Sequence, residues 1–452
     1  MTDFGPRRRR ELERMEDAVL PPAGVRSSES SRRHTEVREP EESDVRTAFQ
    51  RDRDRILHSR AFRRLKHKTQ VYMPHTADHQ RTRLTHTLEV AQIGRTMARS
   101  LGLNEDLVEA IALGHDLGHT PFGHTGEQSL RTILAGNETE CPLPEEVVQS
   151  VGTFKHNYQS LRVVDWLEDR SQHPGLNLSD QVREGILKHT SWKARSEFPL
   201  PETTGLRLDR PCHLEGQVVA LADEIAQQTH DLEDGLTTQV VSLDEIERLD
   251  AAVEVAAMAG PVYGAETSRR RRSKLLLRGL IRLLVTDAIE TTAQRVQKIC
   301  ERRNIARRGD WLAISDSVSA TTVRHSPRTA AMLAQLKAFI YRFIINDLEN
   351  NRRDHRAHLI VTGLFRAYHR NPLTLPDDVL RRFQRETGLP FLRAISIHHI
   401  PDQVARTYHP EPRFARLIAD HLAGMSDRYA LAEYEALYHP GSVLRSSRAG
   451  RW

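Results

Sequence analysis

The sequence predicts an all-α protein, on three observations. From Asp44 onward, apolar residues recur at helical spacings over almost the whole chain. No succession of alternating strands and no internal repeat interrupts that pattern. Helix stops and caps fall where the period breaks, as at Gly102 and Asn104. At usual helix lengths this gives one large multi-helix domain of roughly fifteen helices.

Taken in order, residues 1–45 are rich in Arg, Glu, Ser and Pro and poor in large apolar side chains. They are expected to form a disordered basic extension, because little apolar burial offsets the cost of ordering. Phe49, Ile56 and Leu57 then lead into Ala61, Phe62 and Leu65. Residues 68–73, β-branched and aromatic, read as a turn or small hairpin strand. Leu84, Leu88, Ala91, Met97 and Leu101 line a helix that stops at Gly102. Asn104 caps the next helix, with Glu105 and Asp106 favoured by the dipole in its first turn. Leu107, Val108, Ile111 and Leu113 are its apolar residues, and it delivers His115 and Asp116 at its end. Further helices fit 145–151, 158–166, 180–188, 214–232, 243–258, 272–302, 330–350, 355–368, 376–383 and 411–438, with 190–211 a long surface excursion. The main domain is thus expected over 46–440, with its core at about 83–231 and a tail at 441–452.

Composition bounds the function. With 38% hydrophobic and 28% charged residues among 452, the chain reads as a soluble globular protein. A net charge of +5 suits an anionic partner, but Arg7–Arg10 and Arg269–Arg272 carry much of the excess and fit solvated ends equally well. Three widely separated cysteines, Cys141, Cys212 and Cys300, exclude a disulfide framework and a CxxC zinc site. Its apolar segments are cut by Arg278, Arg282 and Arg342, so no membrane span is expected. With no signal-peptide pattern at the N-terminus, a cytoplasmic protein is expected.

One stretch, residues 114–127, concentrates the chemistry. It packs His115, His119 and His124 with Asp116 and Glu127 among four glycines and Pro121. Such a mixture fills no core, whereas neutral imidazoles and carboxylates serve both a divalent cation and acid–base work. His86 and Asp223 are likewise polar residues inside apolar-patterned helices, where bundle metal sites are built. His86, His115, Asp116 and Asp223 therefore form the candidate metal set, with donors suited to Mn, Fe or Zn and less well to Mg. Gln227 and Asp231 follow Asp223 at four and eight residues, on the same helical face.

The order His86, His115-Asp116, Asp223 resembles the signature of the HD phosphohydrolases. Narrower likeness lies in GlyHisAspLeuGlyHisThrProPheGlyHis at 114–124, ArgLeuThrHisThrLeuGluVal at 83–90, HisAspLeuGluAspGly at 230–235 and AlaGlyMetSerAspArgTyrAla at 423–430. These resemble the deoxyguanosinetriphosphate triphosphohydrolase family, in its bacterial dGTPase-like branch, over about residues 45–440. The resemblance implies hydrolysis of a deoxynucleoside triphosphate (dNTP) at the α-phosphorus, giving deoxynucleoside and inorganic triphosphate. It implies a divalent metal, Mn, Fe or Mg. His124 matches the family's catalytic histidine, with Glu127 placed to orient it and raise its pKa, and His119 matches a second histidine near the phosphates. Arg83, His156 and Lys188 stand at substrate-contact positions, and Gln70 and Asp231 at sugar-contact positions.

Two departures stand out: Gln227 where the family usually has tyrosine, and Glu224 where some relatives carry a phosphate-binding lysine. The resemblance also implies a homo-oligomer, and leaves open whether an allosteric dNTP activates it. Arg269–Arg272 could contact a regulatory nucleotide or single-stranded DNA, with a solvated helix start as the plainer reading. The alternatives are an HD phosphohydrolase acting on other nucleotides or on single-stranded DNA ends, and a nucleotide-sensing module without turnover.

Overall fold

A computed structural model describes residues 5–35, 44–69, 81–169, 173–190, 206 and 208–439. The described residues form twenty-one α-helices, joined by short 3-10 and π turns, with three isolated bridges and no strand. The all-α expectation holds. No described helix is long and apolar enough to cross a membrane.

Local chemistry sets the helix ends near the site. Thr82 and Thr85 close a capping box on the Arg83–Leu101 helix. Gly102, at φ 69°, takes the left-handed conformation that ends it. The Asn104 side chain accepts from Leu107 N to start the Glu105–Gly114 helix, which is buried along most of its length. With the Leu214–Thr237 helix these two make the central packing unit, and Ala48–Leu57, Asp180–Lys188 and Arg269–Arg303 pack around it.

Two apolar clusters result. The first gathers Val90, Ile111, Ile186, Val218 and Leu280. The second joins Leu130 and Leu134 of the Gly123–Leu134 helix to the C-terminal helices through Phe365, Phe383 and Phe414. Residues 115–122 cross from one to the other, with Leu117 in the first cluster and Phe122 in the second.

Several boundaries differ from expectation, each for a local reason. Residues 243–258 split into Leu243–Ile246 and Asp250–Ala259. Residues 411–438 split into Pro412–Ala423 and Asp427–Tyr438, because the Ser426 side chain caps a new start. Helix 330–350 ends at Ile340 in a π turn, and Asp347 caps a fresh helix, Leu348–Arg370, that absorbs 355–368. Of 68–73, Thr69 bridges Thr82, and 70–73 lie outside the described residues.

Residues 5–35 are not a disordered extension. Arg9–Val19 is helical. The segment after it is fastened by polar contacts: Val25 N–H donates to Glu215 Oε1 at 2.8 Å, and Arg32 pairs with Asp52. Arg26 donates to the Leu20 and Pro21 carbonyls. Ordering here comes from buried ion pairs and backbone bonds rather than apolar area, so composition did not signal it. In the Arg269–Arg272 run, Arg269 bonds Asp244 at 2.8 Å and Arg272 bonds Glu247 at 2.7 Å, as a locally neutralised helix start would.

Asp52 is fully buried and also accepts from Ser179 N–H at 2.9 Å. Asp52→Ala removes the carboxylate from Arg32, whose guanidinium keeps the Asn177 and Ala48 carbonyls, and takes the acceptor from that N–H. The expected loss of unfolding free energy is about 3–5 kcal/mol, read by denaturant titration. A loss below ~1 kcal/mol, the scale of an exposed ion pair, would contradict the anchor.

Candidate metal centre and active site

Three helices bring the candidate ligands together. His86 lies in the first turn of Arg83–Leu101, His115 is the residue that ends Glu105–Gly114 with Asp116 next, and Asp223 is mid-helix in Leu214–Thr237. His86 Nε2 lies 2.9 Å from Asp223 Oδ1. His115 Nε2 lies 3.3 Å from Asp116 Oδ1 and 3.7 Å from Asp223 Oδ1. One ligand atom from each of His86, His115 and Asp223 falls within 4.8 Å of the others.

Hydrogen bonds assign the tautomers that free these nitrogens. His115 Nδ1 donates to the Ala112 carbonyl at 2.6 Å, which leaves Nε2 as the nitrogen open to a cation or a proton. That Nε2 is buried and makes no hydrogen bond. His86 Nδ1 meets His230 Nδ1 at 3.2 Å, and His230 Nε2 meets the Glu89 carboxylate. Glu89 can only accept, so His230 donates to it from Nε2, receives from His86 at Nδ1, and His86 Nε2 is left as a lone pair. A divalent cation fits this arrangement, since both imidazoles turn Nε2 towards carboxylates.

The local field agrees. Burial disfavours charge on His115, but Asp116 and Asp223 outweigh it and push its pKa up to about 9. Burial would raise Asp116 and Asp223, yet neighbouring imidazoles, with Arg83 beside Asp116, hold both well below the carboxylate range. The pocket thus draws in positive charge.

A second tier lies beside it. Arg83 Nη1 donates to Asp116 Oδ2 at 2.8 Å, and His119 Nε2 lies 3.1 Å from Asp116 Oδ1. The His119 ring stacks on His156 at 3.9 Å. His156 Nδ1 donates to Glu127 Oε2 at 2.7 Å, and its Nε2 meets His189 Nε2 at 3.2 Å. Other donor groups, Asp116 with His156 and His189 or His119 with Glu127 and His156, are also close enough to hold an ion. In those groups His156 is committed to Glu127 and His189, whereas His115 Nε2 is unbonded, so the first set is the better cation site.

The motif's glycines have a steric cause. A Cβ on Gly118 would overlap the backbone at Gln159 and Ser160, and one on Gly126 would overlap the Pro121 carbonyl. Ser160 fastens the turn by donating to the His115 carbonyl at 2.7 Å and accepting from Gly118 N–H at 2.9 Å.

Most sequence-derived candidates converge, with exceptions. His124 is exposed, its ring 5.7 Å from His119 and 6.4 Å from His156. The surrounding protein, then the charges of Arg83 and His156, lower its pKa. Glu127 makes no hydrogen bond to His124: its oxygens go to His156 and to Arg131 at 2.8 Å, and the upward pull of its charge is outweighed by desolvation in the surrounding protein, Arg83 and His156. Lys188 bonds Glu184 and, at 2.7 Å, the Arg210 carbonyl. Gln70 lies outside the described residues. Gln227 is half-buried beside the Asp223 turn. Glu224, the second departure, pairs with Lys337. Sequence reasoning missed His189, His230 and Glu89. His230 abuts Asp231, and Glu89 lies three residues beyond His86 on one face, a spacing that could have signalled it.

Comparison with known proteins places these residues in context. The HD domain family matches residues 83–227, and a phosphohydrolase-associated domain matches 323–396 and 391–436. The chain is 38% identical over 423 residues to a deoxyguanosinetriphosphate triphosphohydrolase-like protein of Bordetella pertussis, covering 92% of this chain and 95% of that one. Proteins of the same description from Geobacter metallireducens (37% over 406 residues, 88% and 90% covered) and Bartonella henselae (38% over 410 residues, 87% and 90%) are similar to it.

Asp231 is buried, and its Oδ1 has no hydrogen-bond partner. Burial, then Asp234, pushes its pKa up to about 7. The folded chain therefore keeps a proton there that the unfolded chain sheds near pH 4, and the stability this gives is lost as pH rises towards 7. Asp231→Asn escapes that loss. In metal-free protein, its melting temperature relative to the parent should climb between pH 5 and 8, by the equivalent of a few kcal/mol at ~1.4 kcal/mol per pH unit. A difference independent of pH would contradict the assignment.

Proposed function

Because the chain belongs to the deoxyguanosinetriphosphate triphosphohydrolase-like family of HD-domain proteins, we propose that it hydrolyses dNTPs to deoxynucleoside and inorganic triphosphate. In this reading the catalytic unit spans 46–440, with its core at about 83–231. One observation carries it: His86, His115, Asp116 and Asp223 converge next to a bank of Arg83, His119, His156 and His124. A polyanion with one scissile ester finds there a cation site, charge-neutralising groups and a proton donor within one cavity wall.

His86, His115, Asp116 and Asp223 would hold the divalent metal, which supplies charge against the α-phosphate and activates water. Arg83 and His156 would receive phosphate oxygens, Arg83 through charge-assisted bonds from its guanidinium. Arg83 Nε is buried without a partner, so one donor stands ready for an incoming oxygen. Water oxygen bonds to the α-phosphorus as the bond to O5′ breaks, His124 delivers the proton that O5′ needs, and the proton water sheds passes to solvent, from which the exposed His124 is reprotonated. Desolvation by the surrounding protein and the charges of Arg83 and His156 lower its pKa in the free protein. A bound triphosphate adds negative charge against Arg83 and His156, which restores the protonated form that donates. Asp231 would meet the sugar: a protonated or unpartnered buried carboxyl exchanges its missing bond for one to a hydroxyl.

The test uses purified protein, Mn²⁺ and each dNTP singly, with products separated. Triphosphate and deoxynucleoside are expected. His124→Ala should keep nucleotide binding and lose turnover by ~10²-fold or more, as for removal of an acid catalyst. Release of phosphate or pyrophosphate would overturn the reading in favour of another HD phosphohydrolase chemistry.

A further inference from the structure

The turn that carries His119 to His124 is gripped from outside by residues remote in sequence. Lys68 donates its ammonium to the His119 carbonyl and, at 2.7 Å, to the carbonyl of Ala423, where the Pro412–Ala423 helix ends. Four residues on, Asp427 Oδ1 accepts the Phe122 N–H at 2.9 Å. Its Oδ2 accepts the Thr69 N–H at 2.8 Å and the Thr69 hydroxyl. Lys68, Thr69 and Asp427 are all buried.

Phe122 needs such a grip. It adopts φ 63°, ψ 24°, left-handed backbone that costs a residue with a Cβ about 1–2 kcal/mol. Gly123, at φ 61°, continues the reversal, and His124 follows directly. The placing of the His124 ring beside His119 and His156 is thus set by two successive left-handed residues, the first of them held by Asp427. Three donors converge on that carboxylate, and only an acceptor-only group satisfies all of them; an amide would turn its NH₂ towards at least one N–H.

We infer that Asp427 is a positioning residue for His124, through which the C-terminal helices control the catalytic turn. The inference rests on the proposed role of His124 as proton donor. Asp427 touches no substrate atom; it acts by keeping Phe122 left-handed, with Lys68 holding the other end of the same turn.

Asp427→Asn keeps the shape and removes one acceptor. The expected result is a fall in kcat of at least tenfold, with dNTP affinity within threefold of the parent and metal content unchanged. Amide hydrogen exchange across residues 119–124 should quicken while the rest of the chain keeps its protection. A merely structural residue would instead lower metal content, affinity and kcat together with global protection, and that pattern would overturn the inference. So would kcat within twofold of the parent, or unchanged exchange at 119–124. His124→Ala, assayed alongside, separates the two readings: its retained turnover would sink the donor role, whereas its loss beside an active Asp427→Asn would sink only the positioning role. Lys68→Met, acting at the His119 end, is expected to reproduce the kcat and exchange effects and carries the test if Asp427→Asn does not fold.

Discussion

Everything around this site answers to one electrostatic constraint. Asp116, Glu127 and most of Asp223 are withdrawn from water, and a buried carboxylate is tolerated only where positive charge or hydrogen bonds compensate it. Arg83 and His119 meet Asp116, and His156 and Arg131 meet Glu127, while Asp223 faces the Nε2 atoms of His86 and His115. His115 is the residue with a buried nitrogen left unbonded between two of these carboxylates. A cation at that point completes the set.

Holding such groups together requires carriers that do not yield. The Arg83–Leu101, Glu105–Gly114 and Leu214–Thr237 helices pack on one another through Val90, Ile111 and Val218, so each contributes its polar residue from a rigid apolar wall. Outside the ligands, backbone carbonyls and carboxylates fix ring orientation: Ala112 for His115, Ile186 for His189, and Glu89 through His230 for His86. The second apolar cluster supplies the remaining wall, and Lys68 and Asp427 tie its C-terminal helices to the turn before His124.

Much of this was legible in the sequence. Helical spacing placed 145–151 and 180–188 at their observed bounds, and polar residues interrupting apolar helices singled out His86 and Asp223. What escaped has physical causes. Breaks at Ile246 and Ala423 leave the helical period nearly intact, because the apolar residues on either side still fall at compatible spacings. Residues 5–35 are ordered by polar contacts, the Arg32–Asp52 ion pair and the Val25 N–H bond to Glu215 among them, whose partners no local window contains. Glu127 was paired with His124 because they are three residues apart on one helix; the structure gives it His156 instead, 29 residues away, since a buried carboxylate takes the closest donor in space. The role of Asp427 was invisible for the same reason, as its partners lie 305 and 358 residues away.

The central claim is that His86, His115, Asp116 and Asp223 share one divalent cation. Anomalous scattering from a crystal of the Mn²⁺-loaded protein tests it most directly. The account predicts one strong peak with both imidazole Nε2 atoms and both aspartates at ligand distances of about 2.0–2.3 Å. A peak among His119, Glu127 and His156 instead, or none with the four side chains left as they are, would contradict it.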